Sequence, residues 1–413
     1  MKILIVNFTD VAGGAARAAK RLHTSLLTEN VNAKMFVQIK ESSDKDVISP
    51  KTTFKKKLVK LQAILNPIPL KKFNNIAPFS VSFSPSFNIA KKINDLSPDI
   101  VHLHWVNAGM IKVEDLLKIK APIVWTLHDM WPFTGGCHYA DTCKLYQKKC
   151  GTCLVLNSDK ENDVSRKLFI RKQKVYSQIY NLTIVGLSRW LASAAKESSL
   201  FKDKDIVNLP NPIDTSVFRP LDKNKSRVFL GLEKEKKYIL FGAMHATSDK
   251  RKGHMQLDSA LQYLKDKNVE LLIFGGTKPK ELQFSGFITH YLGQISSNES
   301  LLALYNAADV MIVPSLEENL SNVIMESLSC GTPVVGFDIG GNGDLISHKE
   351  NGYLAKPLNV KDLAFGIDWI LQNNETAILS NFARTKVLEN FDNKVVAKKY
   401  IELYKSILEK KSS

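Results

Sequence analysis

The sequence has no run of 18 or more apolar residues, so it predicts no membrane-spanning helix. It has five cysteines among 413 residues, and its opening MKILIVNFTD holds one lysine and five apolar residues before Asn7 ends the run, which is too short for a signal peptide. We therefore expect a cytoplasmic protein with free thiols and no disulfides. It also lacks internal repeats, low-complexity segments, a G-x-G-x-x-G fingerprint and RNP, KH or zinc-finger patterns, which leaves little support for dinucleotide or nucleic-acid binding.

What the sequence does have is length for two domains and a surplus of positive charge. Hydrophobic residues make up 44% and charged residues 24%, as in soluble globular proteins. Lys and Arg number 57 against 41 acidic residues, giving a net charge of +16 that calls for an anionic partner or surface.

The densest basic cluster is KTTFKKKLVKLQAILNPIPLKKF, from Lys51 to Phe73. Its apolar residues fall near one helical face: Phe54, Leu58, Leu61, Ile64 and Leu65. A basic amphipathic helix of this kind suits an anionic membrane surface, and we expect a peripheral association with the inner face of the plasma membrane. The alternative is a solvated helix packed on its own domain.

Strand and helix patterns alternate through the first half of the chain. The segment 2–8 predicts a buried strand, and Gly13 and Gly14 form a turn into a helix over 15–27, a place where phosphate or a sugar can meet backbone amides. Two further apolar runs, DIVHLH and PIVWTLH, predict buried strands that end at His104 and His128. Ligands in open α/β sheets bind beyond such strand ends, although packing for the glycines and a structural role for the histidines are the alternatives.

Four of the cysteines lie within 17 residues. Cys137, Cys143, Cys150 and Cys153 have the spacing C-x5-C-x6-C-x2-C, and a structural zinc site is one interpretation, with His138 able to replace one ligand. The other interpretation is free thiols packed as small apolar groups.

The second half restarts the α/β pattern with predicted strands over 237–243 and 269–274. Between them, Lys250, Arg251 and Lys252 precede Gly253 and a predicted helix. Three cations before a helix N-terminus favour either a solvent-exposed loop or a clamp for a diphosphate.

The most informative stretch is ADVMIVPSLEENLSNVIMESLSCGTPVVGFDIGGNGDL, residues 308–345. A strand over 310–313 closes at Pro314, a helix over 323–330 follows an N-cap at Ser321 or Asn322, and a strand over 332–337 leads to a glycine loop. Glu318 and Glu326 stand eight residues apart around the start of this helix. A helix N-terminus attracts phosphate, so adjacent carboxylates suit the neutral hydroxyls of a nucleotide-sugar, and surface solvation is the alternative.

These residues resemble the donor-binding signature of glycosyltransferase family 4, the retaining transferases of GT-B fold. The match consists of Pro314, Ser315, Glu318, Glu326 and the strand 330–335. The usual Glu-Gly-Phe-Gly is replaced by Glu-Asn-Leu-Ser at 318–321.

The resemblance implies an α/β protein with two Rossmann-like domains facing a central cleft. Residues 1–208 would form the acceptor-side domain, 209–392 the nucleotide-sugar domain, and a last helix over 393–413 would cross back onto the first. The prolines in Leu209-Pro-Asn-Pro-Ile-Asp mark the boundary.

The resemblance also implies a set of site residues. His128, Glu318 and Lys252 would be catalytic, with His128 and Glu318 on the transferred sugar, Lys252 on the diphosphate and Glu326 on the ribose. The donor-binding set would be Gly13, Gly14, Arg251, Lys252, Leu292, Asn319, Leu320, Ser321, Asn322 and Glu326. Ala243 stands near the family's phosphate-binding arginine, so Arg251 or Lys250 would have to substitute for it.

The expected function is a retaining hexosyltransferase that needs no catalytic metal. It would move a sugar from a UDP- or GDP-linked donor to a glycan or polyprenyl-linked acceptor during assembly of O-antigen, capsule or exopolysaccharide. Two alternatives stay open: a catalytically silent protein of the same fold that binds a glycolipid or a partner, and a basic nucleic-acid-binding protein.

Overall fold

A computed structural model describes residues 1–50, 52–83, 88–242, 246, 248–276, 284, 286–295, 297–373 and 377–412, with backbone alone for 53–56 and 411–412. The chain divides into two compact units. The N-terminal unit comprises Met1–Pro212 and Val396–Ser413, and the C-terminal unit comprises Ile213–Val395. The sequence-based boundaries lie a few residues away, after residues 208 and 392.

The strands and helices alternate through much of the chain. The strands are β1 (Lys2–Thr9), β2 (Asn32–Ile39), β3 (Val47–Ile48), β4 (Ile100–Leu103), β5 (Ile123–Leu127), β6 (Leu182–Gly186), β7 (Asp205–Asn208), β8 (Lys237–Gly242), β9 (Val269–Phe274), β10 (Thr289–Tyr291), β11 (Val310–Val313), β12 (Val334–Phe337) and β13 (Gly352–Ala355). The helices are α1 (Gly14–Thr28), α2 (Thr53–Leu65), α3 (Ile89–Asp95), α4 (Val164–Tyr176), α5 (Arg189–Glu197), α6 (Lys223–Phe229), α7 (His254–Leu261), α8 (Asn298–Ala307), α9 (Asn322–Ser329), α10 (Asn342–Leu345), α11 (Val360–Asn373), α12 (Ile378–Asn390) and α13 (Asn393–Ser412).

Each unit is built on a parallel sheet. Within the described residues the N-terminal sheet has the order β3-β2-β1-β4-β5-β6-β7, and the C-terminal sheet has the order β10-β9-β8-β11-β12-β13. Every pairing is parallel. Both are doubly wound sheets whose strand order reverses at one point, between β1 and β4 and between β8 and β11, where such folds bind ligands at the carboxyl ends of the strands.

The apolar runs of the sequence become the central strands because both faces of a parallel sheet are covered. All four residues of β4 and of β11 are buried. In the N-terminal unit α13 supplies Val396, Tyr400 and Tyr404 to the core that contains Ile3 and Ile5 of β1. The last helix is therefore part of the N-terminal core.

Two predicted elements differ from the structure. Gly343 does not lie in a loop, because the four-residue helix α10 begins at Asn342 directly after the glycine turn. The helix predicted over 375–388 appears as α12, which begins at Ile378. Residues 374–376 lie outside the described part of the chain, and so does Ala243. Among the described residues, none of the helices combines the length and the hydropathy that crossing a bilayer requires.

Candidate functional site

The loop that follows β8 carries the cationic segment of the C-terminal unit. Lys250–Lys252 form a 3₁₀ turn whose N-cap is Asp249. The Asp249 carboxylate accepts hydrogen bonds from the Arg251 backbone at 3.0 Å and from its guanidinium at 3.1 and 2.7 Å. The guanidinium of Arg251 is therefore hydrogen-bonded within its own loop. These bonds stabilise the turn that contains Lys252.

Lys252 meets the first carboxylate of the signature. The loop after β11 packs against this turn, with the backbone amide of Leu316 donating to the carbonyl of Arg251 at 2.8 Å. The Lys252 ammonium lies 3.0 Å from Oε2 of Glu318, and both side chains are mostly buried. Two residues 66 positions apart in sequence are therefore an ion pair at the reversal point of the sheet.

Two glycines make this approach possible. Gly253 has φ +74°, and a Cβ on it would stand 1.8 Å from the carbonyl oxygen of Pro314. Gly340 has φ +51°, and a Cβ there would stand 1.9 Å from the carbonyl oxygen of Glu318. Because glycine has no side chain, the three loops after β8, β11 and β12 can approach one another closely at these two positions.

Helix α9 starts beside the ion pair. Ser321 occupies its N-cap position with extended backbone, and Asn319, Leu320 and Ser321 are buried, while Asn322 opens the helix half-buried. The predicted helix stop at Gly331 is confirmed by its φ of +79°, directly after the C-cap residue. The first turn of α9 lines the same pocket as Lys252 and Glu318, through Val323.

The second carboxylate is less accessible than the resemblance suggests. Glu326 is only 2% exposed, and its Oε2 accepts a hydrogen bond from the hydroxyl of Tyr305 at 2.8 Å. Tyr305 comes from α8 and is fully buried. Tyr305 could not be predicted as this partner from the sequence, because only the packing of α8 against α9 brings its hydroxyl to the carboxylate.

A pocket opens at the ion pair. It encloses about 200 Å³ of empty space, part of it open to solvent, and its lining includes Gly242, Lys252, Pro314, Ser315 and Glu318. Arg251, Glu326 and Leu292 are not among the described residues that line it, and Leu292 instead follows β10, donating its amide to the carbonyl of Ile273 at 2.8 Å. The pocket therefore contains an acid and a cation in contact.

The remaining predicted positions lie in the N-terminal unit. Gly13 is the N-cap of α1 with φ 96°, Gly14 is the first residue of that helix, and the Gly13 carbonyl accepts from the amide of Arg17 at 3.1 Å.

His128 follows β5 and is half-buried, and its Nε2 lies 2.9 Å from Nδ1 of His104. Burial lowers the pKa of His128 to about 4, against the opposing effect of Asp129, so the imidazole is neutral near pH 7.

The four thiols of the cysteine loop are free cysteines in the structure, two of them buried and two half-buried. Among the described residues, which include all four thiols, no three His, Cys, Asp or Glu side chains are grouped to hold a metal ion. Burial raises the pKa of Cys137 and of Cys150 to about 12, and the amide of Gly135 donates to Sγ of Cys150 at 3.2 Å. This arrangement favours packed thiols, and the zinc site stays an untested prediction.

His138 is not available as the replacement ligand that the sequence suggested. Its Nδ1 lies 2.6 Å from Oδ2 of Asp129, and its Nε2 lies 2.8 Å from the hydroxyl of Ser80. Both ring nitrogens are used, so His138 braces Asp129 next to His128.

The loop before the cysteines is held by a buried lysine that sequence reasoning missed. Lys172 of α4 is fully buried, donates to the carbonyls of Trp131 and Thr134, and lies 3.7 Å from the centre of the Trp131 ring. Burial lowers the pKa of Lys172 to about 7, although Cys137 and Cys150 oppose this.

Comparisons with known proteins match both halves of the chain. A model described as "Glycosyltransferase Family 4" matches residues 12–217, and one described as "Glycosyl transferases group 1" matches 222–385. A relative from Escherichia coli K12, "Putative colanic acid biosynthesis glycosyl transferase WcaC", is 25% identical over 346 residues, which is 81% of this chain and 82% of the relative. A Campylobacter jejuni relative, "N,N'-diacetylbacillosaminyl-diphospho-undecaprenol alpha-1,3-N-acetylgalactosaminyltransferase", is 26% identical over 162 residues, 38% of this chain and 42% of the relative.

A solved structure has the same fold over nearly the whole chain. Anabaena Alr3699/HepE in complex with UDP-glucose superimposes with a TM-score of 0.65 at 18% sequence identity, covering 98% of this chain and all of the other. Together the family models, the relatives and the fold identify this chain as a glycosyltransferase of family 4 with the GT-B fold.

Proposed function

We propose that this transferase works with retention of configuration, moving a hexose from a UDP- or GDP-linked donor to a glycan or polyprenyl-linked acceptor in cell-surface polysaccharide assembly. The observation that carries the proposal is the 3.0 Å contact between Lys252 and Glu318 at the carboxyl ends of β8 and β11. A nucleotide-sugar presents a diphosphate and neutral hydroxyls side by side, and this pair offers a cation for the first and an acceptor for the second.

The proposed glycosyl transfer requires little from the protein beyond stabilisation of charge. As the bond between the anomeric carbon and the donor phosphate breaks, the diphosphate leaves with the electron pair and gains negative charge. Lys252 and the first amides of α9 would stabilise that charge. Glu318 would bind a sugar hydroxyl, and the acceptor hydroxyl would attack from the face that the diphosphate leaves, passing its proton to a phosphate oxygen. No metal is required for these steps.

Glu326 would bind the ribose diol through its carboxylate. Fixing Oε2 through the 2.8 Å bond from Tyr305 holds the carboxylate in one orientation, which suits two adjacent hydroxyls. This role needs the helix end to adjust on binding, because Glu326 is 2% exposed.

A thermal-shift panel of nucleoside diphosphate sugars tests the donor assignment. The true donor should raise the melting temperature by mass action, and Glu326→Ala should abolish the shift. Glu326→Gln keeps the side-chain volume and separates lost binding from lost packing, while Glu350→Ala removes an exposed carboxylate of the same unit and should leave the shift unchanged. A panel in which no nucleotide-sugar stabilises the protein would count against the proposal.

A lipid-linked acceptor is supported by the surface around α2. The helix buries Val59, Gln62 and Asn66, with the Gln62 side chain donating to the carbonyl of Gly109 at 3.3 Å. Its apolar face instead reaches solvent: Leu61, Leu65 and the nearby Ile68 are more than a third exposed, Ile64 is 69% exposed, and Ile76 farther along is 74% exposed. Of the two interpretations of this helix, the inverted burial favours a membrane surface over packing on its own domain.

Lysines surround this apolar surface, which we call the α2 patch. Lys57, Lys60, Lys71 and Lys72 are all exposed. Apolar side chains ringed by ammonium groups are complementary to a bilayer with anionic headgroups. The chain would therefore work at the cytoplasmic face of the plasma membrane, where a polyprenyl-linked acceptor is held.

Vesicle flotation tests this part of the proposal. The protein should float with phosphatidylglycerol-containing vesicles, less so as salt is raised, and should not float with phosphatidylcholine alone. Ile64→Ser should weaken binding, whereas Ile170→Ser, at an exposed site on α4 of the same unit, should not. Equal flotation of Ile64→Ser and wild type would contradict a docking role for the α2 patch.

The two alternatives make different predictions. A silent member of the family would bind an acceptor glycolipid but never release nucleoside diphosphate from a donor. A nucleic-acid-binding protein would keep its function in Glu326→Ala, because that carboxylate would have no part in binding a polyanion.

A further inference from the structure

Three imidazoles lie in a row at the carboxyl ends of β4 and β5 in the N-terminal unit. The ring centres of His102 and His104 are 4.4 Å apart, and those of His104 and His128 are 5.2 Å apart. His102 has protein partners at both nitrogens, the hydroxyls of Tyr404 and Thr126, each at 2.7 Å. It is a satisfied core residue, which leaves His104 and His128 as a pair at the end of the row.

His104 is the unusual member of this row. It is 3% exposed, and its Nδ1 is bonded to Nε2 of His128 at 2.9 Å. Its own Nε2 is buried and has no hydrogen-bond partner within the part of the chain that the structure describes. A buried polar atom without a partner destabilises the folded protein, so it needs a reason to be kept.

The surroundings of His104 indicate what would satisfy that nitrogen. His104 and His128 line a pocket of about 190 Å³ together with Trp105, Asn107 and Asp129, among others. The Asp129 carboxylate is already used, by Nδ1 of His138 at 2.6 Å and by the amide of Trp131 at 2.9 Å. Aromatic walls with a few polar groups suit a sugar, which presents C–H faces and hydroxyls.

The charge state favours a neutral partner over an anion. Burial holds the pKa of His104 well below its usual value, helped by the neighbouring imidazoles, and also lowers the pKa of His128. Both rings are therefore neutral at pH 7. A neutral imidazole suits a neutral hydroxyl, whereas phosphate or carboxylate would be bound by a cation.

The hydrogen bond between the two rings couples their outer nitrogens. A neutral imidazole has one N–H and one bare nitrogen. If His104 donates to His128, then Nε2 of His104 is an acceptor and Nδ1 of His128 carries the proton; if His128 donates, both assignments reverse. The pair always presents one donor and one acceptor at its two ends.

We propose that Nε2 of His104 binds a hydroxyl of the sugar substrate and that, through its bond to Nε2 of His128, His104 couples its own tautomer to the one that His128 presents to the transferred residue. This inference rests on the proposed function and on the contact between His128 and the transferred sugar that the family resemblance implies. His104 is thus a substrate-binding and positioning residue, and a hydroxyl, which can donate or accept, fits either tautomer.

The test uses full-length protein labelled with ¹⁵N-histidine and long-range proton–nitrogen correlation spectra. Glucose alone and UDP-glucose are the two probes, so that a free sugar and a nucleotide-linked sugar are compared. We expect the signals of His104 Nε2 and His128 Nδ1 to shift together, while the signals of His102, whose nitrogens are already bonded inside the protein, stay in place.

The matched variants are His104→Phe and His104→Gln. The first keeps a ring in the core but no nitrogen, so the His128 signals should lose their single-tautomer pattern and the sugar response should weaken roughly tenfold, the loss of one hydrogen bond. The second retains a polar amide and should restore part of the response. UDP binding by the C-terminal unit should be the same in both variants, which shows that each has folded.

The outcomes separate this inference from the proposed function. If UDP binds but neither probe moves His104 and His128, or if His104→Phe leaves the His128 signals unchanged, the role of His104 is overturned. If glucose moves both signals while no nucleotide-sugar binds, the role of His104 stands and the donor assignment fails.

Discussion

At the scale of single residues, the proposed donor site contains an ion pair that a bound nucleotide-sugar would separate. Lys252 and Glu318 are 3.0 Å apart and largely buried. A donor would give the ammonium a phosphate and the carboxylate a hydroxyl, so both partners stay satisfied when the pair separates.

Lys252→Ala should therefore weaken binding of the donor's nucleoside diphosphate by about 10- to 100-fold, as expected for one charge-assisted hydrogen bond. Isothermal titration calorimetry measures the affinity directly. Lys225→Ala removes an exposed lysine from α6 of the same unit and is the matched control. Equal losses in both variants would point to net charge and not to a specific phosphate contact.

Lys172 predicts a pH dependence of stability. Its pKa is lowered to about 7 by burial, and in the unfolded chain it returns to its usual value near 10.5. Above pH 7 the unfolded state holds a proton that the native state has lost, so this group makes the free energy of unfolding rise with pH, by up to about 1.4 kcal/mol per pH unit.

Urea unfolding of wild type and Lys172→Met at pH 7, 8 and 9 measures this effect. The difference between the two proteins should move in favour of wild type as pH rises. A difference that stays constant across this range would show that Lys172 is already charged in the folded protein.

At the scale of elements, the glycine turns bring the site loops together. Gly340 and Gly231 both have positive φ, but a Cβ would meet the Glu318 carbonyl oxygen at 1.9 Å in the first case and nothing within 4 Å in the second. Gly340→Ala should therefore lower the free energy of unfolding by more than Gly231→Ala, which should cost about 1 kcal/mol through φ alone.

Gly340→Ala should also weaken nucleotide binding, since Glu318 must move to make room. Denaturant unfolding and calorimetry on the two variants check both effects. If the two substitutions behave alike, the loop contact is not essential to the geometry of the site.

The elements that sequence predicted best are those fixed by local rules. The strands β9 and β11 have the predicted bounds, and Ser188 caps α5 as predicted, its hydroxyl accepting from the amide of Leu191. Short apolar runs bounded by glycine, proline or histidine are unambiguous once both faces of a sheet are buried. The resemblance put Lys252 and Glu318 in one donor site, but their ion pair was not predicted.

What sequence could not give are contacts between distant elements. Tyr305 reaches Glu326 only because α8 packs beside α9, and His104 reaches His128 only because β4 and β5 are neighbours in the sheet. The sequence also left open which face of α2 is buried, since its pattern fits a buried or an exposed apolar face equally well. Polar contacts made by Gln62 and Asn66 decide it.

At the scale of the whole molecule, the same parallel topology is used twice with different chemistry. Each sheet reverses its strand order once, and each unit has a pocket at the carboxyl ends of two neighbouring strands, β4 and β5 in the N-terminal unit and β8 and β11 in the C-terminal unit. The pocket of the C-terminal unit contains a contacting cation and carboxylate, and that of the N-terminal unit contains neutral imidazoles and tryptophan rings. The charged pocket suits the proposed diphosphate, and the neutral pocket suits the proposed sugar hydroxyl.

The central claim is that this chain cleaves a nucleotide-sugar at the Lys252 and Glu318 pocket, and the release of nucleoside diphosphate from the donor chosen by thermal shift tests it most directly. Wild type should release the diphosphate, Glu318→Gln should lose at least about 100-fold in rate, the range found when one group that stabilises a transition state is removed, and Glu350→Gln should match wild type. Release at the wild-type rate by Glu318→Gln would contradict the account.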